Sequence, residues 1–207
     1  MFKTFAYDIV TGEPPMRECD VKEALNRSIR LMHAHEADTR ILPEMVLGRG
    51  SSRIDLAVVN GKLHGYEIKS DSDTLYRLEA QAEAYNAVFD EITIVVGSRH
   101  FVEVEKSVPN WWGILRAESC GERVELFKIR QPMANPQQSI QAIASLLWKE
   151  EAIHLLQQHA SVRGIGCKNR NALSVEISDR LDLRIVAKYT REALKSRVRW
   201  RVDEQQR

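Results

Sequence analysis

The stretch from Arg53 to Val96 constrains the fold most, because two strand-like runs inside it carry charge where a core is expected. Ile54-Asp55-Leu56-Ala57-Val58-Val59 is apolar except for one acid, and Leu63 to Lys69 repeats the pattern with Glu67 and Lys69 two residues apart. An unpaired carboxylate is costly to bury, so charge among aliphatic neighbours points to a metal, an ion pair or a solvent cleft. Asn60-Gly61 is the turn between the runs. A two-residue loop would set Asp55 opposite Tyr66 and send Glu67 to the other face. A three-residue loop with a left-handed Gly61 and a bulge would pair Val58 with Lys62, and Asp55, Glu67 and Lys69 would share one face. A site here requires the odd loop. Two carboxylates and an ammonium converging from adjacent strands suit a hard divalent cation such as Mg²⁺, which keeps several waters and accepts one or two carboxylates plus substrate phosphate.

Beyond the second run, Ser70-Asp71-Ser72-Asp73 offers helix N-caps, and Leu75, Leu78, Ala82, Tyr85 and Phe89 recur at helical spacing. Gln81 lies about 70° from the centre of that apolar stripe, at an edge from which its amide can reach a neighbouring strand. Ile92 to Val96 predicts a short strand, parallel to the preceding one because a helix intervenes.

Residues 20 to 96 resemble the PD-(D/E)xK nuclease superfamily, whose core is a helix, a three-stranded antiparallel meander, a crossover helix and a further strand. Asp55 and Glu67-Ile68-Lys69 fall where that superfamily has its metal-binding acids and lysine, and Gln81-Ala82-Glu83-Ala84-Tyr85 is similar to the QxxxY motif of its RecB-like branch. The strings RIDLAVV, GYEIKSDSDTLYRL and VPNWWGIL together resemble an uncharacterised bacterial family of small predicted nucleases. Ser52-Arg53-Ile54 precedes Asp55 where the superfamily pattern has proline.

Ahead of this stretch, Asp20-Val21-Lys22-Glu23 has the form of a capping box, and Val21, Leu25, Ile29 and Met32 continue it as a helix ending near His35. His33-Ala34-His35-Glu36 reads as polar surface rather than a ligand set, since adjacent helical positions diverge. Ile41 to Leu47 predicts a strand carrying Glu44, which the resemblance suggests as a third carboxylate; an ion pair with Arg53 is the alternative.

Pro109 to Leu115 and Arg123 to Ile129 predict a second hairpin extending the sheet, with Trp111 and Trp112 covering a sheet end in preference to stacking on bases. Gln131 to Pro136 reads as a linker. A long helix follows from Gln137 to His159, then a glycine- and lysine/arginine-rich loop, then helices over 172–180 and 183–198 that form either a helix-turn-helix or a cap on the core.

The net charge of +1 hides an asymmetry: residues 1–159 hold 18 Lys+Arg against 23 Asp+Glu, whereas 160–207 hold 12 against 6. The basic end suits a polyanion, with a solvated helical face as the alternative. Three widely spaced cysteines suggest neither a disulfide framework nor a zinc site. No run of eighteen apolar residues and no secretory pattern appears, so a cytoplasmic protein without a membrane partner is expected.

The sequence thus predicts an α/β protein with a restriction-endonuclease-like core over 1–130 and a basic helical region over 131–207. The resemblance implies Mg²⁺-dependent phosphodiester hydrolysis, most simply of DNA, with Mn²⁺ as a substitute metal. Glu44, Asp55 and Glu67 would bind metal, Lys69 would orient water or steady developing charge, and Gln81 would hold Lys69 or substrate. Lys168, Arg170, Lys188, Arg191, Lys195 and Tyr85 are the candidate nucleic-acid contacts. One alternative is a nuclease fold without activity that binds nucleic acid or a partner; another is a regulatory DNA-binding protein that uses the C-terminal helices, with the core as a dimerisation module in a homodimer.

Overall fold

A computed structural model describes residues 16–50, 52–121, 123–159 and 164–197. It is mixed α/β, built on one six-stranded sheet whose strands lie in sequence order. Helix α1 (Glu18–Met32) leads into β1 (Arg40–Leu47), β2 (Ser52–Asn60) and β3 (Lys62–Lys69), an antiparallel meander. Helix α2 (Leu78–Asn86) crosses over to β4 (Glu91–Gly97), parallel to β3 as the intervening helix requires. A second crossover through α3 (Phe101–Ser107) places β5 (Gly113–Cys120) parallel to β4, and β6 (Arg123–Arg130) closes a hairpin at the far edge. Four more helices follow: α4 (Ile140–Ala144), α5 (Lys149–His159), α6 (Arg170–Arg180) and α7 (Leu183–Ser196).

The two faces of the sheet are covered differently. Val21, Ala24, Leu25 and Ile29 recur at helical spacing on α1 and pack against Leu56, Val58, Tyr66, Ile68 and Val95. Leu78, Tyr85, Val88 and Phe89, on and just after α2, cover the opposite face with Ala57, Val59, Leu63, Ile92, Ile94 and Val96. Strand β4, IleThrIleValVal, is buried on both faces and reads accordingly as a continuous β-branched run. The C-terminal helices form their own apolar cluster, including Leu155, Leu156, Leu173, Ile177 and Val186, and reach the α2-side core through Leu146 and Leu194.

Several boundaries differ from those the sequence predicts. Helix α1 begins at Glu18 with no side-chain cap, and Asp20 instead pairs with Arg17 at 3.3 Å. The helix predicted over 137–159 is two helices. Ser139 accepts from the Ala142 amide to start α4, and Glu151 Oε2 accepts from the Trp148 amide at 2.7 Å to start α5, so each segment is capped separately. Helix α3 is not anticipated, because Val-Glu-Val-Glu alternates like a strand and only Val104 is buried. The predicted hairpin is present, and Trp112 is fully buried with Nε1 donating to Asn86 Oδ1 at 2.8 Å, so the tryptophan pair belongs to the core. Among the described residues no helix is long and apolar enough to cross a membrane, and Cys19, Cys120 and Cys167 form no disulfide with one another. The predicted glycine- and arginine-rich loop lies partly outside the described residues.

Candidate functional site

The β2–β3 turn decides which side chains meet. Gly61 adopts a positive φ of 64° and is the only residue between the paired Asn60 and Lys62. Val58 consequently faces His64 rather than Lys62, a register different from the predicted bulged loop. Both registers have the same parity, so the expected outcome survives: carried one step past Leu56–Tyr66, the ladder sets Asp55 against Glu67. Glu67 and Lys69 share the face of β3 that meets α2, and α2 holds Gln81 near its start and Tyr85 near its end above them.

Glu67 is the hub. It is 2% exposed, with Oε1 accepting from Lys69 Nζ at 2.6 Å and from Gln81 Nε2 at 2.8 Å. Its Oε2 lies 2.7 Å from the Tyr85 hydroxyl, which also sits 2.8 Å from the Arg53 carbonyl and accepts from Gln81 Nε2 at 3.2 Å. Burial pushes the Glu67 carboxyl above its ordinary pKa, against the pull of Lys69 and the donated hydrogen bonds. Burial together with the Glu67 charge also raises the Tyr85 hydroxyl, which stays protonated and remains a donor.

Asp55 stands beside this hub with Oδ2 accepting from the Ile68 amide at 2.7 Å. Its pKa is pushed up to about 7, first by burial and then by the neighbouring Glu67 charge, with the Ile68 hydrogen bond opposing. Two carboxylates whose environments disfavour ionisation mark a place where a further positive charge would be welcome.

Glu44 faces Asp55 across the β1–β2 ladder, in the gap between the pairs Pro43–Leu56 and Met45–Ile54. Among the described residues it is the one non-glycine with positive φ, 51°, a conformation that costs on the order of 1–3 kcal/mol and persists only where the surroundings impose it. At this kink the strands exchange faces, since Leu42 and Met45 join the same core although strict alternation would separate them. The Glu44 carboxylate is engaged by Arg53 Nε at 2.9 Å and by the Lys22 ammonium. The ion-pair alternative therefore describes Glu44, and among the described residues no group of three or more His, Cys, Asp or Glu side chains is placed to hold a metal ion.

The remaining pair, Asp55 and Glu67, offers carboxylate oxygens, the donor type that a hard divalent cation takes. A second observation agrees: Gln81 Oε1 is buried without a hydrogen-bond partner at the edge of the same cluster, an acceptor available to a bound water or to substrate.

Other predicted site residues are placed differently. Tyr85 is fully buried and serves Glu67, so it offers no surface to nucleic acid. Lys168 pairs with Glu176, Arg170 donates to the Leu147 and Ser145 carbonyls, Arg191 reaches Asp90 at 3.2 Å, and Lys195 reaches Asp38 at 2.6 Å. Lys188 is exposed. Four of the five basic candidates thus hold the protein to itself. His33 hydrogen-bonds Glu36 at the end of α1, a surface contact as expected. Lys22 was not anticipated in the site; its spacing on α1 carries no sign of the β1 acid it meets.

The family model described as Bacteriophage P4 protein cII matches residues 13–204. Protein cII of Enterobacteria phage P4 is 31% identical over 185 residues, an alignment covering 88% of this chain and 68% of the relative. No solved structure matches significantly. With nearly its whole length matched, the chain belongs to the bacteriophage P4 protein cII family.

Proposed function

We propose that the protein is a divalent-metal-dependent nuclease acting on DNA, with its active site at the end of β3. The observation that carries this reading is the Glu67 hub: an acid, a lysine, a glutamine and a tyrosine from a strand and its crossover helix meet within hydrogen-bond distance, with Asp55 beside them. The element order α1, antiparallel β1–β2–β3, α2, parallel β4 agrees with the restriction-endonuclease-like core that the resemblance implies.

Asp55 and Glu67 would hold Mg²⁺, or Mn²⁺, which polarises a phosphate and lowers the pKa of its water. Lys69 keeps its ammonium within the site through Glu67 and stabilises negative charge developing on the phosphoryl oxygens. Gln81 fixes Glu67 through its amide nitrogen and leaves its oxygen for a water or substrate donor. Tyr85 places its one hydroxyl proton between two acceptors, Glu67 Oε2 and the Arg53 carbonyl, and so orients Glu67 from α2. The test is cleavage of linear and circular DNA in Mg²⁺ and Mn²⁺; equal activity of wild type and Glu67→Ala would refute the assignment.

A second reading is a nuclease fold that only binds DNA. It is favoured by one feature, the closed Lys69–Glu67 ion pair, which satisfies the buried carboxylate without any metal. Divalent ion separates the two. A rise in melting temperature that Asp55→Asn abolishes supports the metal site, and DNA binding that survives full chelation without any strand being cut supports the binding module.

A further inference from the structure

Residues 70–77 join the two elements of the Glu67 site: they leave β3 directly after Lys69 and enter α2, whose first turns carry Gln81. The loop is held from several sides. Asp73 Oδ2 accepts from the Ser70 amide at 2.7 Å and from Ser70 Oγ at 2.6 Å. Asp71 Oδ1 accepts from the Arg99 amide at 3.0 Å, its carbonyl accepts from Arg99 Nη1 at 3.0 Å, and His100 Nε2 lies 2.9 Å from the Asp73 carbonyl. Gly97 makes room for this contact, since a Cβ there would stand 2.3 Å from Asp71 Oδ1. Leu75 packs against the α2-side core and closes a turn with Leu78.

On this fixed frame, Tyr76 is 94% exposed. Trp111, Trp112, Phe89, Tyr85 and Tyr66 are all buried, and Phe127 at 40% is far less open. An aromatic ring held in water by an ordered backbone contributes nothing to the core, yet it offers a flat apolar face with few side-chain torsions to restrict. Arg77, next to it in the chain, is also exposed, so a cation accompanies the ring on this loop. Stacked duplex bases present no free face to such a ring, whereas unpaired bases do.

We propose that Tyr76 is a stacking platform for an unpaired nucleobase, and that the site takes single-stranded nucleic acid or the unpaired end of a duplex, with Arg77 contacting its phosphates. The proposal rests on the phosphodiester-cleaving reading of the Glu67 site.

The test uses the full chain and one labelled oligonucleotide, presented single-stranded or as a blunt duplex with its complement. Affinity is measured in chelator and cleavage in Mg²⁺, for wild type, Tyr76→Phe and Tyr76→Ala. Single-strand affinity should fall about tenfold in Tyr76→Ala and stay within about twofold in Tyr76→Phe, with blunt-duplex affinity and melting temperature unchanged. The stacking assignment is overturned if Tyr76→Ala binds single strands as wild type does, if Tyr76→Phe loses as much as Tyr76→Ala, or if wild type binds no single strand. Cleavage separates the two proposals. A Tyr76-dependent single-strand affinity with no cutting by wild type refutes the nuclease reading alone, while cutting of single strands that is indifferent to Tyr76→Ala refutes the stacking alone.

Discussion

The Glu67 hub and the C-terminal helices treat charge in opposite ways. The hub lies in the acidic part of the chain and draws four polar side chains into a buried cluster on one sheet face. Residues 160–207 carry the basic excess, and most of the candidate cations among them are drawn into contacts with the rest of the protein. Arg191 meets Asp90, Lys195 meets Asp38, and Arg197 meets Glu151 at 2.5 Å while its backbone carbonyl accepts from Arg40 at 2.8 Å. A count of charge along the sequence therefore identifies a latch between helices and sheet as readily as a surface for phosphates. Partners decide which it is.

The sharpest way to break this comparison is at Arg197. It is 5% exposed, donates to Glu151 and to the Leu146 carbonyl, and stacks over Trp148 at 4.4 Å. Arg197→Ala leaves buried acceptors without their donor and should cost about 3–5 kcal/mol in urea unfolding. A loss under about 1 kcal/mol, the range of an exposed pair, would mean that the helices are not latched by charge.

On the hub side, Tyr85→Phe removes the hydroxyl that lies between Glu67 Oε2 and the Arg53 carbonyl while preserving the buried ring. The expected cost is about 1–3 kcal/mol of stability, accompanied by lower cleavage. Unchanged stability would assign Tyr85 to packing alone.

Asp55 gives the hub a pH dependence. Its folded pKa, about 7, lies above the ordinary carboxylate value near 4. Between these values the folded state binds more protons than the unfolded state, so stability must fall as pH rises through that window. Without divalent ions the melting temperature should decline from about pH 4 to 7, and Asp55→Asn should flatten the decline. A melting temperature that rises over the same range, with Asp55→Asn flattening that rise, would reverse the assignment.

The smallest effect is expected at Lys188, the exposed candidate on α7. Lys188→Gln should leave stability within about 0.5 kcal/mol and lower the salt slope of binding by at most roughly 0.9 for duplex or 0.7 for single-stranded DNA. Arg191→Gln should instead lower stability and leave that slope unchanged. Equal slope losses in both variants would mean that the Arg191–Asp90 pair opens to bind DNA.

Much of the hub was legible in the sequence because its geometry follows from local rules. Strand parity put Asp55, Glu67 and Lys69 on one face under any odd loop, and helical spacing put Gln81 at the edge of the α2 stripe. The exact register was not legible, since it depends on how Gly61 closes the turn. Glu44 was read as a metal acid because its in-strand setting matches that of Asp55; its engagement by Lys22, from a helix 22 residues away, is a tertiary contact with no local sign. The partners of the C-terminal cations are equally hidden, as Arg191 and Lys195 find acids 101 and 157 residues distant. Tyr85 as a nucleic-acid contact conflicts with its place on the buried stripe with Leu78 and Phe89, which is a core position.

Whether the Glu67 hub cuts phosphodiester bonds is measured most directly by cleavage of DNA by wild type and Glu67→Gln in Mg²⁺, in Mn²⁺ and in chelator. Glu67→Gln keeps the side-chain shape while removing the charge that engages Lys69 and would bind metal. Wild type should cut only with divalent ion, and Glu67→Gln should lose about a hundredfold or more of that activity. Cutting that persists in chelator, equal cutting by both proteins, or a folded wild type that cuts neither single- nor double-stranded DNA with either metal would contradict the nuclease reading.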